Sequence, residues 1–229
     1  MSNTFYKHTI WDWNGTLIND ATVSYLLCLK ELELCGVPAI PPDEYKRKFH
    51  HPMKDFYTEV GVDFSKRSYL EITDHFHNSY VECLPECKIF DDALPILTTL
   101  QSWGLSQSIL SALPHDILIK SVTEKGLGSF FTDVQGLHSN AADSKVANGQ
   151  KWFNDNDFSA SEILLVGDTA HDKEVADVLG IDCILVSRGC QHHDNLIKLG
   201  CPVFNSLASV KVYLQGMRSA TLVLAQNAS

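Results

Sequence analysis

Short apolar runs separated by stretches of helical period set the plan of this chain. Strand-like runs fall at residues 5–11, 105–110, 130–134, 163–166, 183–186 and 202–204. The unbroken Ile-Leu-Leu-Val at 163–166 is of the kind a parallel sheet buries on both faces. Helical period occupies 20–34, 91–103, 114–125, 143–153, a segment ending at 179, and 194–199. Asp20 is read as the cap of the first of these helices, whose Val23, Leu26, Leu27 and Leu34 share a face. Pro95 falls in the first turn of the second, where a missing N–H does no harm. Between 41 and 84 no strand pattern occurs, and helical patterns recur at 43–49, 54–60 and 66–83. This order predicts an α/β fold: a doubly wound, Rossmann-like parallel sheet from residues 1–19 and 86–229, with an inserted all-helical cap at 20–85. The tail after Gln215 carries no clear pattern and is expected as a short helix or a disordered end.

Composition narrows the function classes. The 229 residues are 45% hydrophobic and 20% charged, globular values, with a formal net charge of −10. That balance gives no basic footprint for nucleic acid or an anionic membrane surface, while a local pocket or bound metal can still draw in a phosphorylated small molecule. No apolar run reaches the length of a membrane span, and the first eight residues lack the apolar core of a secretory signal, so a cytoplasmic protein is expected. Seven cysteines without paired spacing fit reduced thiols, Cys83 and Cys87 included. His75 with His77 and His192 with His193 diverge on a helix and are read as surface or capping residues. Nothing in the sequence specifies an oligomeric state.

Three polar residues end strand-like runs: Asp12 after 5–11, Ser111 after 105–110 and Asp168 after 163–166. A parallel sheet gathers such positions in one crevice at its carboxyl edge. Asp12 leads into Asn14-Gly15-Thr16, a turn in which glycine frees the backbone, N–H groups converge on a point suited to an anion, and Thr16 adds a hydroxyl donor. Trp11 and Trp13, flanking Asp12, are read as core residues on opposite sides of the strand.

With these residues in view the chain resembles the haloacid dehalogenase-like (HAD) hydrolase superfamily, in its phosphoglycolate phosphatase-like branch with a helical cap. Asp12-Trp-Asn-Gly-Thr-Leu matches the first motif, Ser111 the second, Lys145 the third and Gly167-Asp-Thr-Ala-His-Asp172 the fourth. The resemblance implies a phosphoric monoester hydrolase for a small phosphorylated metabolite, such as phosphoglycolate or a sugar phosphate, working through an aspartyl-phosphate on Asp12. It implies Mg2+ held by Asp12, the backbone carbonyl of Asn14 and Asp168, with Asp172 supporting them from behind. Ser111 and Lys145 would bind and neutralise the phosphoryl group, with Gly15, Ala112 and the cap residues His51 and Lys54 around the substrate.

The chain departs from the superfamily pattern in two places. Asp143-Ser-Lys-Val around Lys145 replaces the commoner Lys-Pro. More consequentially, Asn14 stands where the phosphatases carry a second aspartate as general acid and base. An amide does not cycle protons at neutral pH, and such help is worth roughly 10²- to 10⁴-fold. A good leaving group, a proton from the cap stretch with His50 and His51, or slow turnover would each accommodate Asn14. So would a phosphate-binding regulatory protein that has given up efficient turnover. The phosphonoacetaldehyde hydrolase branch also lacks the second aspartate, and Asp12-Trp13-Asn14 is similar to its motif; on that reading Lys54 forms a Schiff base. If the missing acid is the sole defect, Asn14→Asp is expected to restore phosphatase turnover.

Overall fold

A computed structural model describes residues 5–138 and 144–227. Six strands form one parallel sheet: β1 (His8–Trp11), β2 (Ser106–Pro114), β3 (Asp133–Leu137), β4 (Ile163–Gly167), β5 (Asp182–Val186) and β6 (Val203–Phe204), in the spatial order β3-β2-β1-β4-β5-β6. Four cap helices, α1 (Ala21–Leu34), α2 (Pro42–Lys48), α3 (Met53–Glu59) and α4 (Tyr69–Cys83), separate β1 from the crossover helix α5 (Ala93–Ser102). The rest alternate with strands: α6 (His115–Glu124), α7 (Lys145–Asn154), α8 (Ala170–Leu179), the short α9 (His193–Leu196) and α10 (Leu207–Asn227). The chain leaves β1 toward β2 and β3, then returns to lay β4 on the other side of β1. That reversal opens a crevice at the carboxyl ends of β1 and β4, where doubly wound sheets bind ligands.

The strand runs become strands because both faces are covered. Ile10, Leu110, Leu165 and Leu185 pack against α7 and α8, while Trp11, Ile109, Val166 and Val186 pack against the opposite layer. Trp11 donates its indole N–H to Gln107 Oε1 at 3.0 Å, and Gln107 passes its own N–H to the Leu97 carbonyl at 3.1 Å. Buried polar groups are thereby paired, as a sheet interior requires. Trp13 joins the same cluster as Trp11, not the opposite side. Residues two apart in an extended chain share a face.

The insertion has its own small core of Cys28, Leu32, Tyr45, Phe49, Phe56, Tyr57, Val62 and Ile72. Buried Glu31 is paired within it by Arg67 at 2.6 Å and by His75. The core-facing side of α1 is therefore Cys28, Glu31 and Leu32, while Leu26 and Leu34 are over half exposed. Of the apolar face read for this helix, Val23 and Leu27 pack against the sheet-side cluster, whereas Leu26 and Leu34 do not. Gln191 ties cap to sheet by accepting from Ala170 N at 2.6 Å and donating to the Phe49 carbonyl at 2.8 Å.

Other boundaries shift. β2 runs on to Pro114 through a register shift after Leu110, and β3 lies at Asp133–Leu137 because Gly128–Phe130 forms a 3-10 turn. The start of a helix at Asp143 lies outside the described residues, within which α7 begins at Lys145. The tail after Gln215 is helical as far as Asn227, as the end of the 21-residue α10, which is anchored upstream through Leu207, Val210 and Leu214. All seven cysteines are free thiols. No helix among the described residues is long and apolar enough to cross a membrane.

Candidate active site

The centre of the site is the pair of turns that leave β1 and β4. Trp11 lies in register with Ile109 and Val166, and Asp12 N donates to the Val166 carbonyl at 2.9 Å, so Asp12 emerges beside Ser111 and Asp168. Leu17 N and Ile18 N both donate to the Trp13 carbonyl at 3.0 Å, which folds residues 13–18 back over the strand end. Gly15 sits in this turn at φ +68°, a conformation costly for other residues. A Cβ on Gly15, or on Gly189 across from it, would overlap the Asp168 carboxylate. Two bare backbones thus let that carboxylate approach the turn behind Asp12.

Charge around Asp12 is unbalanced. Lys145 Nζ donates to Asp12 Oδ1 at 2.5 Å and also to Asp172 Oδ1. The other Asp172 oxygen accepts from Asp168 N at 3.2 Å, Thr169 N at 2.9 Å and Thr169 Oγ1 at 2.8 Å, at the first turn of α8. Among the described residues, Asp168 Oδ2 accepts from Cys190 N alone, at 2.9 Å. Carboxylate oxygens of Asp12, Asp168 and Asp172 lie within 4.8 Å of one another, all buried, with one ammonium among them. Burial pushes Asp12 up to about 7 against the pull of Lys145. Burial and the charges of Asp12 and Asp172 push Asp168 well above the usual carboxylate range. Burial alone would raise Asp172 and lower Lys145, but their mutual attraction reverses both shifts.

These residues fit a hard divalent cation. Both oxygens of Asp172 are committed, so Asp12 and Asp168 are the carboxylates left to ligate, and an all-oxygen anionic set suits Mg2+ better than a softer ion. The uncompensated Asp168 is the observation that calls for positive charge.

Asp20 does not act as the predicted cap: its side chain makes no capping bond to α1. Instead Oδ1 accepts from Gly15 N at 2.8 Å, and Oδ2 accepts from Asn14 Nδ2 at 2.8 Å and from the Tyr80 hydroxyl at 2.7 Å. Asn14 Nδ2 also reaches the Tyr80 oxygen at 2.6 Å, and Asn14 Oδ1 turns toward Ser111 Oγ at 3.4 Å. Asn14 is thus held by a buried carboxylate in the turn that follows Asp12. Anchoring glycine N–H and asparagine at once offsets the capping bond that was given up.

The inner cavity, about 190 Å³, is lined by Asp12, Asn14, Ser111, Ala112, Lys145 and Asp168 from the core, and by His51, Phe76 and Tyr80 from the cap. It brings together most of the residues read from the sequence. Thr16 is an exception: it is fully buried outside the cavity, its Oγ1 has no partner, and its carbonyl accepts from Arg188 at 2.7 Å. Thr16 fastens the turn and does not face an anion. Lys54 is the second exception, exposed on α3 with its ammonium 5.8 Å from the Phe64 ring and absent from the walls of the cleft. The Schiff-base role read for it has no structural footing, because its helix turns that face away. His51 stands at the mouth, its ring 5.1 Å from that of His171, and His50 bonds the Lys48 carbonyl at 2.8 Å. Desolvation in the cleft, then His171 and Lys145, hold the His51 imidazole below its ordinary value.

Sequence reasoning missed Tyr80, Gly189, Cys190 and the anchoring role of Asp20. Asp20 carried a signal, an acid a few residues from an amide that takes an acid's place. Tyr80 carried none, since one tyrosine on a cap helix looks like any other.

The family described as haloacid dehalogenase-like hydrolase matches residues 9–186. No curated protein matches the chain significantly. Among solved structures, a haloacid dehalogenase-like family protein of Streptococcus pneumoniae superposes with a TM-score of 0.78 at 16% identity, covering 93% of this chain and 99% of that one. A protein described as a predicted phosphatase from Clostridium acetobutylicum gives 0.77 at 15%, covering 93% and 100%. One described as a predicted phosphoglycolate phosphatase from Haemophilus somnus gives 0.72 at 16%, covering 92% and 97%. At these identities the likeness speaks for the fold.

Proposed function

The chain belongs to the haloacid dehalogenase-like hydrolase family, and we propose that within it the protein is a cytoplasmic, Mg2+-dependent phosphatase of a small phosphorylated metabolite. Residues 1–19 and 86–229 would form the catalytic core and 20–85 the cap over it. The observation that carries this reading is the bond from Lys145 to Asp12, with Asp168 within 4.8 Å of that carboxylate, in a cleft lined from the other side by the inserted helices.

In this mechanism Asp12 attacks phosphorus in line, the bond from phosphorus to the leaving oxygen breaks, and water then cleaves the aspartyl-phosphate to phosphate and the free carboxylate. Lys145 holds the attacking carboxylate in place and balances its charge, and Asp172 holds Lys145. Ser111 Oγ accepts from Leu113 N at 3.1 Å and donates to Asn14 Oδ1 at a long 3.4 Å, a proton that a phosphoryl oxygen would take over. Asn14 presents its carboxamide to the same space and Ala112 lines its floor. A cation bound by Asp12, Asp168 and the Asn14 carbonyl would offset the repulsion between carboxylates and phosphate.

The test is a panel of phosphorylated metabolites assayed with Mg2+ for the native protein and for Asp12→Asn. Phosphate release that disappears in the variant supports the reading; release that survives it removes Asp12 from the chemistry.

A further inference from the structure

Beyond the inner cavity the cleft widens into a second space of about 820 Å³ that shares His51, Met53, Phe76 and Lys145 with the first. The phosphoryl group belongs with Asp12 and Lys145, so this outer space receives the leaving part of the substrate. Tyr57, Tyr69, Phe76, Met53 and Leu137 supply rings and apolar surface to its walls, beside His51, His77, His171, Thr73 and Ser144. Apart from histidines, its charged side chains among the described residues are Lys145 and Glu174. Lys145 already holds two carboxylates. A carboxylate or second phosphate on the leaving group would be desolvated here without a cation and beside Glu174.

A second observation concerns protons. Of the carboxyl groups lining the inner cavity, Asp12 is the nucleophile, Asp168 faces the cation site, and Asp20 has both oxygens occupied by Gly15, Asn14 and Tyr80. The histidines lining these spaces are His51, His77 and His171, of which His51 and His77 are held below the ordinary imidazole value by desolvation. Asn14 has no proton to cycle. With an amide at that position the site favours a leaving oxygen that departs carrying its own negative charge, which an alkoxide does poorly and a phenoxide does well.

We propose that the substrate is an aryl phosphate, with a ring-bearing leaving group that carries no charge of its own, and not phosphoglycolate or a sugar bisphosphate; this rests on the phosphatase reading of the same site. Asp12 forms the new oxygen–phosphorus bond, the aryl oxygen leaves with the electron pair of the broken bond as phenoxide, and solvent supplies its proton. The outer walls stack on the ring.

The experiment compares phenyl phosphate, benzyl phosphate and phosphoglycolate, all with Mg2+, with acetyl phosphate and isotopic labelling of Asp12 as separate readouts of phosphoryl transfer. Phenyl phosphate is expected to exceed benzyl phosphate in kcat/KM by about 10²-fold or more, the size of a missing general acid. Benzyl phosphate should exceed phosphoglycolate by at least about tenfold, since the latter buries an unpaired carboxylate. Thr73→Arg, which adds a cation to the outer wall, should narrow the second gap and leave the first unchanged. Phosphoglycolate turnover within tenfold of phenyl phosphate, with Asp12 labelled, overturns the aryl assignment alone. No turnover of any ester and no label, even from acetyl phosphate, overturns the phosphatase reading and this proposal with it.

Discussion

Asn14→Asp reads from the sequence as a repair, and the structure predicts damage. The amide nitrogen lies 2.8 Å from Asp20 Oδ2 and 2.6 Å from the Tyr80 oxygen, and Asp20 is 1% exposed with no cation on it. An aspartate here replaces a donor with a second buried acceptor. Two unit charges about 4 Å apart repel by about 4 kcal/mol at an effective dielectric constant of about 20, and proton sharing between them lowers that to about 2 kcal/mol at neutral pH. The loss should shrink toward pH 5, because the folded pair binds a proton that the unfolded chain has released, so its stability falls as pH rises. Urea unfolding of the native protein, Asn14→Asp, Asp20→Asn and the double variant forms a double-mutant cycle. The double variant exchanges donor and acceptor and keeps the bond, so a coupling of about 2 kcal/mol or more is expected. It should also gain turnover on alkyl phosphates by about 10²-fold, since it places a carboxyl where Asn14 stands. Additive unfolding energies, or Asn14→Asp as stable and more active alone, would refute the pairing.

His8, buried between Trp152 and Phe158 and bonded to Ser106 and Ser108 at 2.7 and 2.8 Å, is lowered by burial to about 4. The unfolded chain then binds the extra proton, so about 3 kcal/mol of stability is lost as pH falls from about 6.5 to about 4; His8→Gln should flatten that limb in pH-dependent urea melts. Mg2+ should raise the melting temperature, by about 2.7 kcal/mol of stabilisation at a hundredfold excess over Kd, and more at pH 8 than at pH 6 because protons compete for Asp12, which burial pushes up to about 7; Asp168→Asn should abolish the shift. Lys145→Met leaves the buried carboxylates unpaired and should cost about 3 to 5 kcal/mol at neutral pH, as measured by urea unfolding without metal.

What the sequence made legible was what one strand or one turn decides. Ile163–Gly167 could be read because a parallel strand buried on both faces is apolar throughout, and its end fixed Asp168. Asp12, Ser111 and Lys145 were legible because four separated motifs occur in one order. Asp20 was misread because local pattern assigns an acid before a helix to capping, whereas its partners are an asparagine six residues back and a tyrosine sixty residues on. Lys54 was assigned to the substrate from a family resemblance and Thr16 from its place in a turn, and which way a helix or a turn faces is settled by packing. The tail helix was hidden because α10 buries only a few side chains and leaves Leu222, Val223 and Leu224 exposed.

The central claim is that the Asp12 carboxylate takes the phosphoryl group, and a direct look for that covalent species tests it. The native protein, incubated with radiolabelled acyl or aryl phosphate and Mg2+ and quenched in acid, should carry label that hydroxylamine removes, on the peptide containing Asp12. Asp12→Asn should carry none. Turnover of the ester with no label on that peptide at any quench time, or equal label on the variant, would contradict the account.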